Sequence, residues 1–230
     1  MSETEPQQKP IECIGIILDG NRRWAKEKGL PTLEGHRRGF EKLKEAARWV
    51  RDRGVSHLVV FAFSTENWKR SEEEVSYLMD IFRTAIRDEI DELGKEGIRT
   101  RYLGQRERFA DDIQKGMRDA EEKTKDNTQM TLWVCLSYGA RAEIAAAARA
   151  AAAAGAITEE TLRVHMWSAE MPDPDIVIRT GGAKRLSNFL LWQAAYSELF
   201  FVGSYWPDFS EQLLDEIIAQ FSTRERRMGK

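Results

Sequence analysis

The sequence predicts an α/β fold: a single domain with a mostly parallel central sheet flanked by helices. Three observations predict it. Short apolar, β-branched runs alternate with stretches of helical periodicity from one end of the chain to the other. A length of 230 residues suits one sizeable core. The polar groups with the most chemistry follow the apolar runs directly, as they do where ligands bind at the carboxyl ends of parallel strands.

Ile11–Leu18 and Ser56–Phe63 read as strands, and Leu33–Arg53 between them carries Phe40, Leu43, Ala47 and Val50 on one helical face, which makes a βαβ unit. Val75–Leu93 repeats the helical spacing through Leu78, Ile81, Phe82, Ala85, Ile86 and Ile90. Gly94 and Gly97 then end it before a strand at Ile98–Leu103. Phe109–Lys123 reads as a surface helix, Met130–Ser137 as a strand and Ala142–Ala154 as an Ala-rich helix. Ile176–Ile178 reads as a strand after a turn at Pro172–Asp175, Phe189–Tyr196 as helix and Leu199–Val202 as a last short strand. Residues 1–10 are expected to be a disordered tail and 11–230 the domain, with no internal repeat and no long linker.

Hydrophobic residues at 42% and charged residues at 32% place the chain among globular proteins. Lys plus Arg (35) nearly balance Asp plus Glu (38), so no global field recruits nucleic acid, and any anion site must be local. No apolar run is long enough to cross a membrane, and the opening MSETEPQQKP lacks the charged start and apolar centre of a signal peptide, so a cytoplasmic location is expected. Cys13 and Cys135 lie in apolar surroundings without partners at metal spacing and read as buried thiols.

Three constellations carry the chemistry. In the first, Ile14-Gly15-Ile16-Ile17-Leu18 runs into Asp19-Gly20-Asn21-Arg22-Arg23-Trp24. A helix start with unpaired N–H groups, a glycine that lets the backbone approach and two arginines suit a phosphate. Asp19 would repel a bare diphosphate, so its presence fits a divalent cation bridging the two. An ordinary turn capped by Asp or Asn fits the same residues. His36, in Glu34-Gly35-His36-Arg37, reads either as a diphosphate donor or as a capping histidine.

In the second, Val59-Val60-Phe61-Ala62-Phe63 ends in Ser64, Thr65, Glu66 and Asn67, followed by Trp68 and Arg70. Ser64 and Asn67 can hydrogen-bond a substrate, Trp68 offers a rigid apolar wall and Arg70 an anion contact. Ser71 with Glu72, Glu73 and Glu74 is also a good helix start, with the preceding residues as its loop. In the third, Asp175-Ile176-Val177-Ile178 leads to Arg179-Thr180-Gly181-Gly182 and then Arg185-Leu186-Ser187-Asn188. Two arginines around a Gly pair suit a ligand with several phosphate oxygens, because each guanidinium can bind two of them. Glu198 fits either a cation ligand or a solvated side chain.

These segments resemble the cis-prenyltransferase family, typified by undecaprenyl diphosphate synthase. The resemblance runs from Ile14 to Gly229 and is carried by ILDGNRRWA (Ile17–Ala25), FAFSTENWKR (Phe61–Arg70), IRTGGAKRLSNFLLWQAAYSELFF (Ile178–Phe201) and WPDF (Trp206–Phe209). It implies condensation of isopentenyl diphosphate onto an allylic diphosphate, farnesyl diphosphate being the expected primer. Asp19 would act with Mg2+ on the primer's diphosphate, which Gly20, Asn21, Arg22, Arg23 and His36 would also hold. Ser64, Arg179, Arg185 and Ser187 would bind isopentenyl diphosphate, with Thr65, Glu66, Leu186, Trp24, Trp68 and Arg70 completing the substrate contacts. Glu198 would add a metal contact, and Asn67 matches the position assigned to proton abstraction. An amide is a poor base, so a substrate phosphate oxygen could take the proton while Asn67 orients it.

The resemblance further implies a homodimer, with Arg227 in a C-terminal Arg-x-Gly element contacting isopentenyl diphosphate. It also implies a hydrophobic tunnel for the growing chain, and peripheral membrane contact on product release is compatible with it. The Val75–Ile90 helix and the sheet face at Val59, Phe61, Leu132 and Val134 are candidates to line the tunnel, although any core helix shows the same stripe. Burying a five-carbon unit contributes roughly 4 kcal/mol. Tyr77, Phe82 and Trp133 are candidates for its floor.

The sequence departs from the family pattern at Ala183, where bacterial members commonly carry Glu, and at Lys184, where some relatives carry a metal-contacting His. It departs also at Thr32, where Arg is frequent, and at Arg22, where Gly is frequent. A non-catalytic partner subunit on the same fold is the competing reading; retention of Asp19 and the arginines argues against it. A phosphohydrolase using Asp19 as nucleophile would need a second Asp where Asn21 stands.

Overall fold

β1 (Cys13–Ile17) lies at the middle of a six-stranded sheet of order β3-β4-β2-β1-β5-β6. The other strands are β2 (His57–Ser64), β3 (Ile98–Leu103), β4 (Met130–Tyr138), β5 (Ile176–Arg179) and β6 (Glu198–Phe201), and every pairing is parallel. The computed structural model describes residues 10–224. All but the last residue of the expected tail, and Arg227, lie outside them.

The helices are α1 (Asn21–Glu27), α2 (Thr32–Asp52), α3 (Glu72–Thr84), α4 (Ile90–Lys95), α5 (Asp111–Lys123), α6 (Ala140–Ala154), α7 (Glu159–His165) and α8 (Glu211–Ser222). Ser71 caps α3 through Oγ, which accepts from the Glu74 N–H at 3.3 Å, and Ser210 caps α8 in the same way from Leu213 at 3.2 Å. The single long helix expected over Val75–Leu93 is instead α3 and α4 joined by a wide π turn at Ala85–Glu89. α7 and α8 are additional to the elements expected from the sequence.

Alternation along the strands sorts the core into two faces. Ile14, Ile16, Leu58 and Val60 face Leu43 and Val50 of α2, Leu78 and Phe82 of α3, Ile113 of α5 and Ile217 of α8 in one large cluster. Ile17, Val59, Trp133, Cys135 and Val177 point to the other face, where Tyr138, Phe189 and Leu190 meet them. Cys13 and Cys135 are buried free thiols, as expected. No helix among the described residues is long and apolar enough to cross a membrane.

Parallel strands bring their carboxyl ends to one edge. From β1 the chain moves to one side to build β2, β3 and β4, and from β4 it crosses back to lay β5 and then β6 on the other side of β1, so the β1/β5 boundary is the crevice where the connections part. Asp19 leaves β1 and Arg179 ends β5 on the two sides of that crevice.

Residues 189–196 do not form the helix that their apolar spacing predicts: they run through a chain of turns. Ser187, Asn188 and Leu190 take left-handed φ values of 50°, 68° and 43°, which interrupt helical hydrogen bonding.

Candidate active site

At the end of β1 the chain turns on Gly20, whose φ of 110° places its α-carbon against Tyr205. A Cβ there would sit 2.6 Å from the Tyr205 ring, so the position requires glycine. α1 then packs against α2 at equally short range: a Cβ on Gly35 would stand 2.1 Å from the Asn21 carbonyl oxygen. This close approach sets His36 of α2 beside the residues that follow β1.

Asp19 is held by Thr180, whose Oγ1 accepts from the Asp19 N–H at 3.0 Å and donates to the Asp19 carbonyl at 2.7 Å. Its carboxylate meets two arginines. Arg179 Nη2 donates to Oδ2 at 2.8 Å and Arg23 Nη2 to Oδ1 at 3.1 Å. Arg23 also donates from Nη1 to the Gly181 carbonyl at 2.8 Å and stacks over the Tyr205 ring at 5.2 Å.

A cleft of about 670 Å³ opens in front of Asp19. It is lined by Asp19, Gly20, Asn21, Arg22, Arg23, Lys26, Thr32, His36 and Arg70, so cations outnumber carboxylates on its walls. Glu74, behind the cleft and only 7% exposed, collects two of them and the imidazole: Arg70 Nη1 donates at 2.8 Å, Arg22 Nη1 lies at 3.6 Å and His36 Nε2 at 3.1 Å. Burial lowers the His36 pKa below its ordinary 6.5, with the Glu74 contact opposing, so the imidazole is neutral at pH 7. His36 stands one turn inside α2 and caps nothing.

β2 leads into a 3-10 turn at Thr65–Lys69, the second constellation. Asn67 Oδ1 accepts from the Ser64 N–H at 3.0 Å, so the amide nitrogen is the end of Asn67 left for a ligand. Trp68 turns inward: Nε1 donates to Ser137 Oγ at 2.9 Å, and the ring meets Phe63 at 5.0 Å and Phe109 at 5.3 Å. Arg70 returns to the cleft wall.

The third constellation meets the first through Arg179. That guanidinium is 4% exposed and spans the crevice, with Nη1 donating to Ser187 Oγ and to the Arg185 carbonyl, both at 2.6 Å, while Nη2 holds Asp19. Its Nε has no partner among the described residues. Arg185 is exposed and donates from Nε to Ser187 Oγ at 3.2 Å. Asn188 ties this segment to the second constellation, donating from Nδ2 to Glu66 Oε1 at 3.1 Å. Thr65 approaches the same junction at Gly139, and Leu186 packs on the second core face.

Two expected residues lie elsewhere. Trp24 is buried and donates from Nε1 to Asp208 Oδ1 at 2.8 Å, fixing α1 to the Trp206–Asp208 turn instead of lining the cleft. Glu198 pairs in register with Ile176 while Arg179 pairs with Phe201, so Glu198 sits at the far end of its strand, about 10 Å along the sheet from the Arg179 position. There its carboxylate accepts from Arg224. No group of three or more His, Cys, Asp or Glu side chains among the described residues is arranged to hold a metal ion. Asp19 alone offers a partly exposed carboxylate to the cleft. That fits Mg2+, which binds through one or two carboxylates together with substrate phosphates and its own waters. Glu198 of the same chain is not placed to join it.

Behind the second constellation a small apolar cavity of about 40 Å³ lies between α2, α3 and the sheet. Phe40, Leu43, Phe82, Leu132, Val134 and Leu136 are among its walls. Leu132, Val134 and Phe82, all candidates for the tunnel or its floor, line this cavity. Val59, Phe61 and Trp133 are not, because strand alternation turns them to the opposite face. Tyr77 borders an outer groove beside Arg37 and Glu41.

Glu74 and Lys26 join the site without having been expected there from the sequence. Glu74 was visible only as a helix-start residue; no local signal marks its contact with Arg22 and His36, which lie in other elements.

The sequence model of the family described as putative undecaprenyl diphosphate synthase matches residues 17–229. An isoprenyl transferase of Agrobacterium fabrum is 47% identical over 226 residues, covering 95% of this chain and 92% of its own. One of Thermotoga maritima is 45% identical over 222 residues, covering 94% and 95%. Among solved structures, lavandulyl diphosphate synthase of Lavandula x intermedia in complex with dimethylallyl diphosphate superposes with a TM-score of 0.92 at 32% identity, covering 96% of this chain and 99% of that one. A probable undecaprenyl diphosphate synthase of Campylobacter jejuni superposes with a TM-score of 0.84 at 30% identity, covering 97% and 100%. With its fold, its three strand-end constellations and these relatives agreeing over nearly the whole chain, the protein belongs to the undecaprenyl diphosphate synthase family of isoprenyl transferases.

Proposed function

We propose that the protein is a Mg2+-dependent cis-polyprenyl diphosphate synthase, condensing isopentenyl diphosphate with an allylic diphosphate, farnesyl diphosphate first among candidates. Undecaprenyl diphosphate, a lipid carrier for cell-wall synthesis, is the proposed product, and a cytoplasmic homodimer the proposed state. One observation carries the reading: Arg179 joins Asp19, at the mouth of a cationic cleft, to Ser187 and Arg185 across the crevice. Two polyanionic ligands can thus lie on either side of one buried guanidinium.

In this reading the cleft takes the allylic diphosphate. Arg22, Arg23, His36 and Arg70 line it, and the first N–H groups of α1 are free of intrahelical partners. Arg23 and Arg179 both donate to the Asp19 carboxylate, and their remaining N–H groups are offered to phosphate oxygens beside it. Asp19 would hold Mg2+, which when bound would supply Lewis-acid neutralisation of the diphosphate's charge. Ser187, Arg185 and Ser64 hold isopentenyl diphosphate, with Arg227 as a proposed further contact.

The allylic C–O bond breaks as diphosphate leaves, the isopentenyl double bond supplies the electrons of the new C–C bond, and loss of a proton leaves a cis double bond. The arginines stabilise the charge that develops on the leaving diphosphate. Asn67 presents its amide N–H, a donor, so its role is to orient a substrate phosphate oxygen that accepts the proton. The apolar cavity beyond Ala62 and Phe82 receives the hydrocarbon, widening as the chain grows.

Exposed Leu191, Tyr196 and Leu199 near the open β6 edge support the dimer proposal. The test is incubation of the purified protein with radiolabelled isopentenyl diphosphate, each common allylic primer and Mg2+, with products resolved by length. Metal-dependent polyprenyl diphosphate is expected. Folded protein that yields no product with any primer would overturn the reading in favour of a non-catalytic partner subunit.

A further inference from the structure

Glu143, in the first turn of α6, is 1% exposed and meets no cation among the described residues. It instead accepts four hydrogen bonds from three segments. Tyr138 Oη donates at 2.5 Å from the end of β4; Ser168 donates from N at 2.9 Å and from Oγ at 2.7 Å; Gln193 Nε2 donates at 3.1 Å. A buried carboxylate is costly unless its lone pairs are satisfied, and an apolar side chain of the same shape would serve packing alone as well or better. The feature a carboxylate adds is reach to several donors at once.

What those donors secure is the segment between β5 and β6. Residues 180–197 have no ladder or helix of their own, yet they carry Arg185 and Ser187. The start of α6 grips this segment on both sides of Phe189 and Leu190. On one side the Ala140 N–H donates to the Asn188 carbonyl at 2.8 Å and the Arg141 N–H to Asn188 Oδ1 at 2.9 Å. On the other, Glu143 holds Gln193, whose amide nitrogen also donates to Ser168 Oγ at 2.6 Å and whose Oε1 has no partner among the described residues. Between these grips Ser187, Asn188 and Leu190 keep left-handed backbone, a conformation that persists in residues with side chains only when its surroundings enforce it. That conformation aims Ser187 Oγ at Arg179 and Arg185.

We infer that Glu143 is a positioning residue that sets Ser187 and Arg185 for isopentenyl diphosphate by anchoring the segment through Gln193. The inference rests on the assignment of that side of the crevice to isopentenyl diphosphate. Glu143 touches no substrate; loosening it should act on one substrate and spare the other.

The experiment compares the full-length wild type with Glu143→Gln and Gln193→Met. It measures steady-state kinetics with each substrate varied in turn, thermal unfolding, and amide hydrogen exchange over residues 187–193. The expected result is a rise of about tenfold in KM for isopentenyl diphosphate, as a misplaced binding group produces. KM for the allylic primer should stay within about twofold, and exchange over 187–193 should be faster in both variants. Lower thermal stability with both KM values unchanged, or with both shifted alike, would overturn it, as would unaltered exchange. Tyr138→Phe, which removes one donor and leaves the carboxylate, replaces Glu143→Gln if that variant does not fold. A wild type without turnover on any primer would defeat the proposed function, whereas the exchange comparison needs no turnover and judges the anchoring by itself.

Discussion

After β1 the chain turns at Gly20 straight into α1, while after β5 it wanders through residues 180–197 before β6 begins. The first side of the crevice is fixed by backbone: a left-handed glycine, a helix start and the close seating of α1 on α2 at Gly35. The second is fixed by side chains, with Thr180, Arg179, Asn188 and Gln193 each bonded to a residue distant in sequence. A diphosphate site built on a helix start needs little besides the local chain. One built on an irregular segment depends on buried polar contacts to hold its shape.

Variants aimed at either side sharpen that contrast. Among variants outside the crevice's central Asp19–Arg179 pair, the largest effect is expected at Asn67, in the turn after β2. If its outward amide is a donor, Asn67→Asp puts a negative charge against phosphate and should lower kcat/KM by about 10²-fold. Retained or improved activity would show that a base is wanted there and that the Ser64 contact does not define its role. Next is Glu74→Gln, which removes the charge facing Arg22, Arg70 and His36. The cleft's cations should lose alignment, raising KM for the allylic primer about tenfold. KM for isopentenyl diphosphate, whose proposed seat lies beyond Arg179, should change far less, and equal changes would erase the distinction between the two sides.

Trp24→Phe tests the backbone-fixed side for stability alone. Loss of the Trp24–Asp208 hydrogen bond should cost about 1 kcal/mol in denaturant unfolding while both KM values hold. A raised primer KM would place Trp24 in substrate contact after all. The smallest effect concerns pH. The buried His36 has a lowered pKa, so the unfolded chain takes up the proton first and stability falls as pH drops below 6.5. His57, lowered by burial too, adds a slope of the same sign. His36→Asn should therefore flatten, without abolishing, the fall in Tm between pH 6.5 and pH 5; an unchanged slope would mean that His36 takes up its proton equally well in the folded and unfolded chain.

The same contrast explains how much was legible in the sequence. Strands β1 to β4 and helix α2 were readable to within a few residues because a period of 2 or 3.6 is local information. Asp19, Gly20, Arg22 and Arg23 could be grouped for the same reason, since one turn places them together. Residues 189–196 misled, because their apolar spacing imitates a helix while left-handed Ser187, Asn188 and Leu190, none of them glycine, give no compositional warning. α8 had a signal that went unused: Ser210 as cap, then Leu213, Leu214, Ile217 and Phe221 at helical spacing. Glu74 announced only its helix start, and Trp24 looked like a ligand wall because its partner, Asp208, is distant in the sequence. Contacts of that kind are decided by how elements pack, and no window along the chain contains them.

The most direct test of the account is kcat/KM for chain elongation in Asp19→Asn beside the wild type, with Mg2+ varied. The amide keeps the shape and can still accept from one arginine, but it removes the one partly exposed carboxylate that lines the cleft among the described residues. The account predicts a loss of about 10³-fold that added Mg2+ does not restore, with the folded state intact by circular dichroism. Activity within about tenfold of wild type would contradict it, because the carboxylate would then serve only to hold Arg179 and Arg23 in place.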